Sequence, residues 1–182
     1  MFVWLASYPK SGNTFVRSLL SAYFFSKDGN FKFDLLKNIK QFPHLSFFIK
    51  LGLDLNNEET IVQNYMRAQD LFNLKNSMQF LKTHSALLQG FTGPKQSLGA
   101  IYIVRDPRKV VISYANHFNI SIGKATDQLL NFATLGGINP KDKNRRTVTT
   151  HLTSWPLHFK SWTAFDKKRF LLIKFEDLVN DT

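Results

Sequence analysis

Residues 7–15 read SYPKSGNTF. They lie between an apolar run, Phe2–Ala6, and a stretch in which Phe15, Leu19, Leu20 and Tyr23 recur at helical spacing. Strand, short glycine-bearing loop, helix is the setting of a phosphate loop, where backbone amides and a helix N-terminus cradle an anion. Against the pattern G-x-x-x-x-G-K-[ST], SYPKSGNT keeps Gly12 and Thr14 but carries Ser7 for the first glycine and Asn13 for the lysine. The cation has moved to Lys10. Gly12 lets the backbone approach an anion closely, and the helix that starts there adds roughly half a positive charge.

Three further apolar runs, Met78–Leu81, Ala100–Val104 and Phe170–Ile173, are short enough for buried strands and alternate with helical or loop segments. This predicts an α/β fold of three layers, a parallel sheet flanked by helices, with a P-loop-like nucleotide-binding architecture. Asp106 as N-cap and Pro107 as first helical residue start a helix running to about Asn119. Glu58–Leu74 reads as one helix, and Phe31, Phe33, Leu35, Leu36 and Ile39 as an amphipathic stretch before Pro43. Residues 136–147 (GGINPKDKNRRT) read as an exposed basic connector, and Trp155, His158, Phe159 and Trp162 as a stripe that packs on the sheet. With no repeat and no boundary signal, the expectation is a single domain over 1–182.

Lysine and arginine outnumber aspartate and glutamate by 24 to 13, a net charge of +11. Either an anionic partner or a solvated basic surface accounts for that excess, so position has to decide. The absence of cysteine excludes disulfides, thiolate metal sites and cysteine nucleophiles. No run of eighteen apolar residues suggests a membrane span, and MFVWLASY lacks the basic flank of a signal peptide, so a cytoplasmic location is expected.

In open parallel sheets ligands bind beyond the carboxyl ends of the strands. The first run leads into Lys10, the second into Lys82 and His84, the third into Arg105 and the last into Lys174. Four cationic exits on one sheet edge suit a ligand with several negative charges, such as a polyphosphorylated nucleotide. Asp106 is better used as a helix cap and Asp177 falls past the last strand, so no metal site is expected. His84 can take a proton near neutral pH at such a rim, a setting that His44, His117, His151 and His158 lack.

These residues resemble the sulfotransferases that use 3′-phosphoadenosine 5′-phosphosulfate, in particular the soluble, cytosolic type. YPKSGNTF is similar to that family's 5′-phosphosulfate loop, FLKTH to the segment with its catalytic histidine, and IYIVRDPRKVVISY to its 3′-phosphate segment, with Ser113 eight residues after Arg105. The resemblance implies that Lys10, Ser11, Gly12, Asn13 and Thr14 hold the 5′-phosphosulfate and that Phe15 stacks on adenine. It implies that Arg105 and Ser113 bind the 3′-phosphate, His84 is the general base, Lys10 stabilises the leaving phosphate and Lys82 steadies the transferring sulfuryl group. The product would be adenosine 3′,5′-bisphosphate and the acceptor a small molecule or glycan bearing a hydroxyl or amine. Phe15 stands where the family usually has tryptophan and Phe175 where many members have tyrosine, which removes a hydroxyl contact. The family's glycine-rich basic segment that closes over the 3′-phosphate has no counterpart here, and the resemblance therefore implies a chain truncated at the C-terminus.

Two other readings start from the same residues. A P-loop nucleoside or nucleotide kinase shares the strand, loop and helix but wants lysine at Asn13 and magnesium ligands. A basic nucleic-acid-binding module would use the surplus charge and GFTG at 90–93 as a backbone clamp, although nucleic acid is not the expected partner. Phe31, Phe33, Phe42, Phe47 and Phe48 can line an acceptor pocket, but filling a core is the simpler use.

Overall fold

The computed structural model describes residues 1–73, 78–93, 95, 97–137 and 147–180. In chain order the elements are β1 Phe2–Ser7, α1 Asn13–Phe25, a 3₁₀ turn Phe33–Asn38, β2 Lys40–Gln41, α2 Leu45–Lys50, α3 Glu58–Gln63, α4 Tyr65–Asn73 and β3 Gln79–Thr83. They continue with β4 Ser97–Val104, α5 Pro107–Phe118, α6 Ile122–Leu130, β5 Thr134–Leu135, β6 Thr150–His151, α7 Trp155–Thr163, a 3₁₀ turn Lys167–Arg169, β7 Phe170–Lys174 and α8 Phe175–Asn180.

The main sheet has the order β2-β3-β1-β4-β7 with every pair parallel. The chain leaves β1 for β2 and β3 on one side and then crosses to β4 on the other, so a crevice opens at the carboxyl end of β1. Register sets Ala6 beside Thr83, Ser7 beside Ile103 and Val104 beside Lys174, which brings the strand exits to one edge.

Alternation along β1 supplies both faces. Phe2, Trp4 and Ala6 pack with Leu81, Ala100 and Tyr102 against Phe48 of α2, Tyr65 and Phe72 of α4 and Trp162 of α7. Leu5 and Ile103 turn the other way, toward Val16 of α1 and Leu178 of α8. A third cluster, with Tyr8, Val110, Tyr114, Leu129 and Leu152, joins α5 and α6 to the end of the sheet. The expected three layers are thus two helical layers around one sheet.

One expected element needs correcting, and other expectations can be placed. The helix read over Glu58–Leu74 is two helices, α3 and α4, broken at Asn64, whose Nδ2 donates to the Thr60 carbonyl at 2.7 Å; Leu74 lies outside the described residues. The connector at 136–147 lies largely outside the described residues, and its flanks pair as the antiparallel ribbon β5–β6. Of the phenylalanines at 31–48, Phe42, Phe47 and Phe48 are core, while Phe31 and Phe33 are exposed. The GFTG turn is committed internally: Gly93 N–H donates to Gln69 Oε1 at 2.9 Å, its carbonyl accepts from Trp4 Nε1, and Thr92 Oγ1 donates to the Ala86 carbonyl. That turn has no free clamp for a nucleic-acid backbone. The stripe behaves as expected, with His158 and Trp162 fully buried.

Candidate active site

The loop after β1 begins with a turn in which Ser11 N–H donates to the Tyr8 carbonyl at 3.3 Å. Lys10 adopts a left-handed backbone, φ 66°, uncommon for a residue with a side chain. Its carbonyl accepts from Arg105 Nη1 at 3.1 Å, so the first residue past β4 clamps the loop past β1. Gly12 follows at φ 97° as the residue before α1, and a Cβ there would overlap the Phe175 ring. Asn13 turns back into the sheet, its Nδ2 donating to the Leu5 carbonyl at 3.1 Å and Ser7 Oγ at 3.2 Å. The position where an ATP-hydrolysing loop carries its lysine here fastens α1 to β1.

His84, half-buried, follows β3. Its Nδ1 lies 2.8 Å from the Ser7 carbonyl, which can only accept, so Nδ1 carries the hydrogen and Nε2 keeps its lone pair. Burial, and after it the Lys82 charge, holds its pKa well below the ordinary 6.5, against an opposing effect of the Ser7 carbonyl. The ring is therefore neutral at pH 7 and able to accept a proton.

A cavity of about 380 Å³ collects Lys10, Gly12, Asn13, Thr14, His84, Arg105 and Ser113, with Pro9, His117, Phe118 and Leu135 completing its wall. None of these residues is acidic. A second cavity of about 240 Å³, lined by Gln41, Pro43, His44, Leu45, Val148 and Thr150 among others, meets the first at His84 and Leu135. His84 is thus the shared wall of two compartments.

Three expected site residues lie off that wall. Ser11 is buried beneath the loop with no partner for Oγ. Phe15 flanks it, 38% exposed and edge-on to Phe175 at 6.0 Å. Lys82 is not a strand exit, because β3 runs on to Thr83; it is buried and its Nζ donates to Gln41 Oε1 at 2.8 Å. Burial, and next the Arg17 charge, brings its pKa down from 10.5 to about 7. Lys174 ends β7 exposed and away from both cavities.

Other residues enter that sequence reasoning passed over. His117 stands one helical turn beyond Ser113, a spacing that the helix over α5 already offered. Phe175 lies under the Arg105 guanidinium at 4.9 Å from its ring centroid, so the side chain expected only to lack a hydroxyl supports the arginine and covers Gly12. His158, read as lacking any setting beside a rim, packs directly behind His84, its Nε2 3.0 Å from the His84 carbonyl.

The donor set matches an anion. Arg105 Nε is buried without a partner, and the wall carries Lys10 and Arg105 with no carboxylate. A phosphate or sulfate group supplies the acceptors such atoms require. Among the described residues no three His, Asp or Glu side chains are grouped as metal ligands, and no helix is long and apolar enough to cross a membrane.

Comparison with known proteins places this geometry in a family. Luciferin sulfotransferase of Photinus pyralis is 26% identical over 191 residues, covering 97% of this chain and 46% of that protein. Mouse sulfotransferase SULT7A1, solved with PAP, aligns with a TM-score of 0.58 at 17% identity over 99% of this chain and 53% of its own. Retinol dehydratase, solved with androsterone and inactive cofactor PAP, aligns with a TM-score of 0.56 at 19% identity over 99% of this chain and 55% of its own. At those identities the solved structures establish a shared fold, and the chain spans about half the length of the relatives it matches. The family model described as the sulfotransferase domain matches residues 2–182, nearly the whole sequence, and the chain belongs to that family.

Proposed function

We propose that the chain binds 3′-phosphoadenosine 5′-phosphosulfate and transfers its sulfuryl group to a hydroxyl or amine of a small-molecule or glycan acceptor, acting in the cytoplasm as one domain over 1–182. The observation that supports this most is the meeting of Lys10, Gly12, Asn13, Thr14, His84, Arg105 and Ser113 on one cavity free of carboxylates. When bound, the nucleotide supplies an activated sulfuryl group. The free amides and the hydroxyls of the Ser11–Thr14 loop and the Lys10 ammonium bind the 5′ end, Arg105 and Ser113 bind the 3′-phosphate, and Phe15 offers a ring face to adenine. His84 Nε2 takes the proton of the acceptor, which enters from the second cavity, while Lys10 donates to the departing phosphate oxygen. Lys82 reaches the sulfuryl group only by leaving Gln41. Positive charge fixed in advance of the reaction, with proton removal from one side, suits in-line transfer.

The kinase reading is tested by calorimetry, with a chelator in the adenosine 3′,5′-bisphosphate arm and magnesium in the ATP arm. Adenosine 3′,5′-bisphosphate is expected to bind without metal and at least about tenfold more tightly than ATP with magnesium, the difference of one extra charge-assisted contact. Tighter binding of ATP with magnesium overturns the proposal.

A further inference from the structure

We infer that His158 is a positioning residue for the proposed transfer: it fixes the backbone of His84 and ties it, through Tyr102, to β4, the strand that leads into Arg105. The inference rests on the reading of His84 as the base.

His158, from α7, is fully buried, and both ring nitrogens have partners. Nε2 lies 3.0 Å from the His84 carbonyl, which can only accept, so Nε2 carries the hydrogen. Nδ1 must then accept, and the Tyr102 hydroxyl, 2.9 Å away, donates to it. The donors therefore run in one direction, from Tyr102 through His158 to His84, and Tyr8, the second residue of SYPKSGNTF, packs edge-on against the His158 ring.

His84 is held a second time by its own ring, through Nδ1–H to the Ser7 carbonyl at 2.8 Å. The side chain of the proposed base is thus tethered to the end of β1, and its backbone, through two buried side chains, to β4. The base is consequently fixed against the two strands that lead into the phosphate loop and Arg105, and aligned bonds of this kind strengthen one another. Ring contacts alone do not require an imidazole there: His158 lies edge-on to Tyr8 at 5.3 Å and beside Tyr102, contacts that an apolar ring also makes. What a phenyl ring would leave behind is an unpaired His84 carbonyl and an unpaired Tyr102 hydroxyl.

The test compares His158→Phe, which fills the space without bonds, with His158→Gln, which can donate to the carbonyl and accept from the hydroxyl. Long-range ¹⁵N–¹H spectra report the His84 tautomer, calorimetry reports affinity for adenosine 3′,5′-bisphosphate, and steady-state assays separate kcat from KM. His158→Phe is expected to keep nucleotide affinity within a few-fold, lose the single Nδ1–H form of His84 and lower kcat by about 10²-fold with little change in acceptor KM. His158→Gln is expected to recover most of both. A wild-type His84 tautomer and kcat in His158→Phe overturn the inference. If that variant does not fold, Tyr102→Phe answers the same question, with a smaller loss of kcat and a mixed His158 tautomer expected and wild-type values for both overturning it. Wild-type activity in His84→Ala refutes the base assignment instead, and the tautomer spectra still decide whether His158 holds His84.

Discussion

A phosphate loop ordinarily places its lysine on the first helical turn, so Asn13 raises the question of what compensates. In the proposed reading Lys10 does so, from a left-handed backbone that costs about 1 kcal/mol for a residue with a Cβ. Arg105 offsets that cost with a hydrogen bond to the Lys10 carbonyl, which gives the arginine two tasks, its own cation and the posture of another. Arg105 and His84 are therefore expected to fail in different ways. Arg105→Ala should weaken adenosine 3′,5′-bisphosphate binding by about 10- to 100-fold, the loss of one or two charge-assisted bonds, and lower turnover as Lys10 relaxes. His84→Ala should leave that affinity unchanged and lower turnover by about 10²-fold or more. Calorimetry beside single-turnover rates separates them, and equal affinity losses in the two variants would refute the division of roles.

Elements differ in what they owe to local signals. α7 sets His158 behind His84, and its start is fixed by Ser154, whose side chain caps the Leu157 N–H and whose carbonyl accepts from His158 N–H at 2.8 Å. Ser154→Ala is expected to cost about 1 kcal/mol, seen as a fall in Tm of about 2–4 °C, with a further loss of kcat as His158 shifts. An unchanged Tm would mean that packing of Trp162 alone holds the helix. Caps of this kind made much of the fold legible: Asp106 and Pro107 announced α5, and the apolar runs announced β1, β3, β4 and β7 to within a few residues. The break at Asn64 was hidden because Ile61, Tyr65, Ala68 and Phe72 keep an unbroken apolar stripe across it. β2 carried no signal at all, being two exposed residues paired only through Leu81 and Lys82 of β3. On the cavity wall, Lys10, Gly12, His84 and Arg105 could be read because each follows a strand or precedes a helix, and Ser113, in the middle of α5, only through the family resemblance. His158 could not, since its bonds cross 56 and 74 residues of chain.

Among the described residues, burial lowers the pKa of His84, His158 and Lys82 and raises that of tyrosines that titrate only above pH 10, so the basic groups set how stability follows pH below that. His158 titrates at about 4 instead of 6.5 because it is buried, and burial together with the Lys82 charge lowers His84 as well. Lys82 falls from 10.5 to about 7 through burial and the Arg17 charge. In each case the folded pKa lies below the unfolded one, so the unfolded chain takes up the proton first and stability drops as pH falls. The lysine contribution is complete above about 10.5 and is lost on the way down to about 7; the His158 contribution is complete above about 6.5 and is lost by about 4. A shift of that size in His158 amounts to roughly 3 kcal/mol. Denaturant midpoints are therefore expected to rise continuously from pH 4.5 to pH 9. Lys82→Met should raise the midpoint at pH 7 and flatten the alkaline limb, at the expense of a cation proposed to serve transfer. His158→Gln should flatten the acid limb alone. A midpoint that peaks near pH 6 and declines above it, or a Lys82→Met variant no more stable than the parent at pH 7, would show that these groups are solvated in the folded chain.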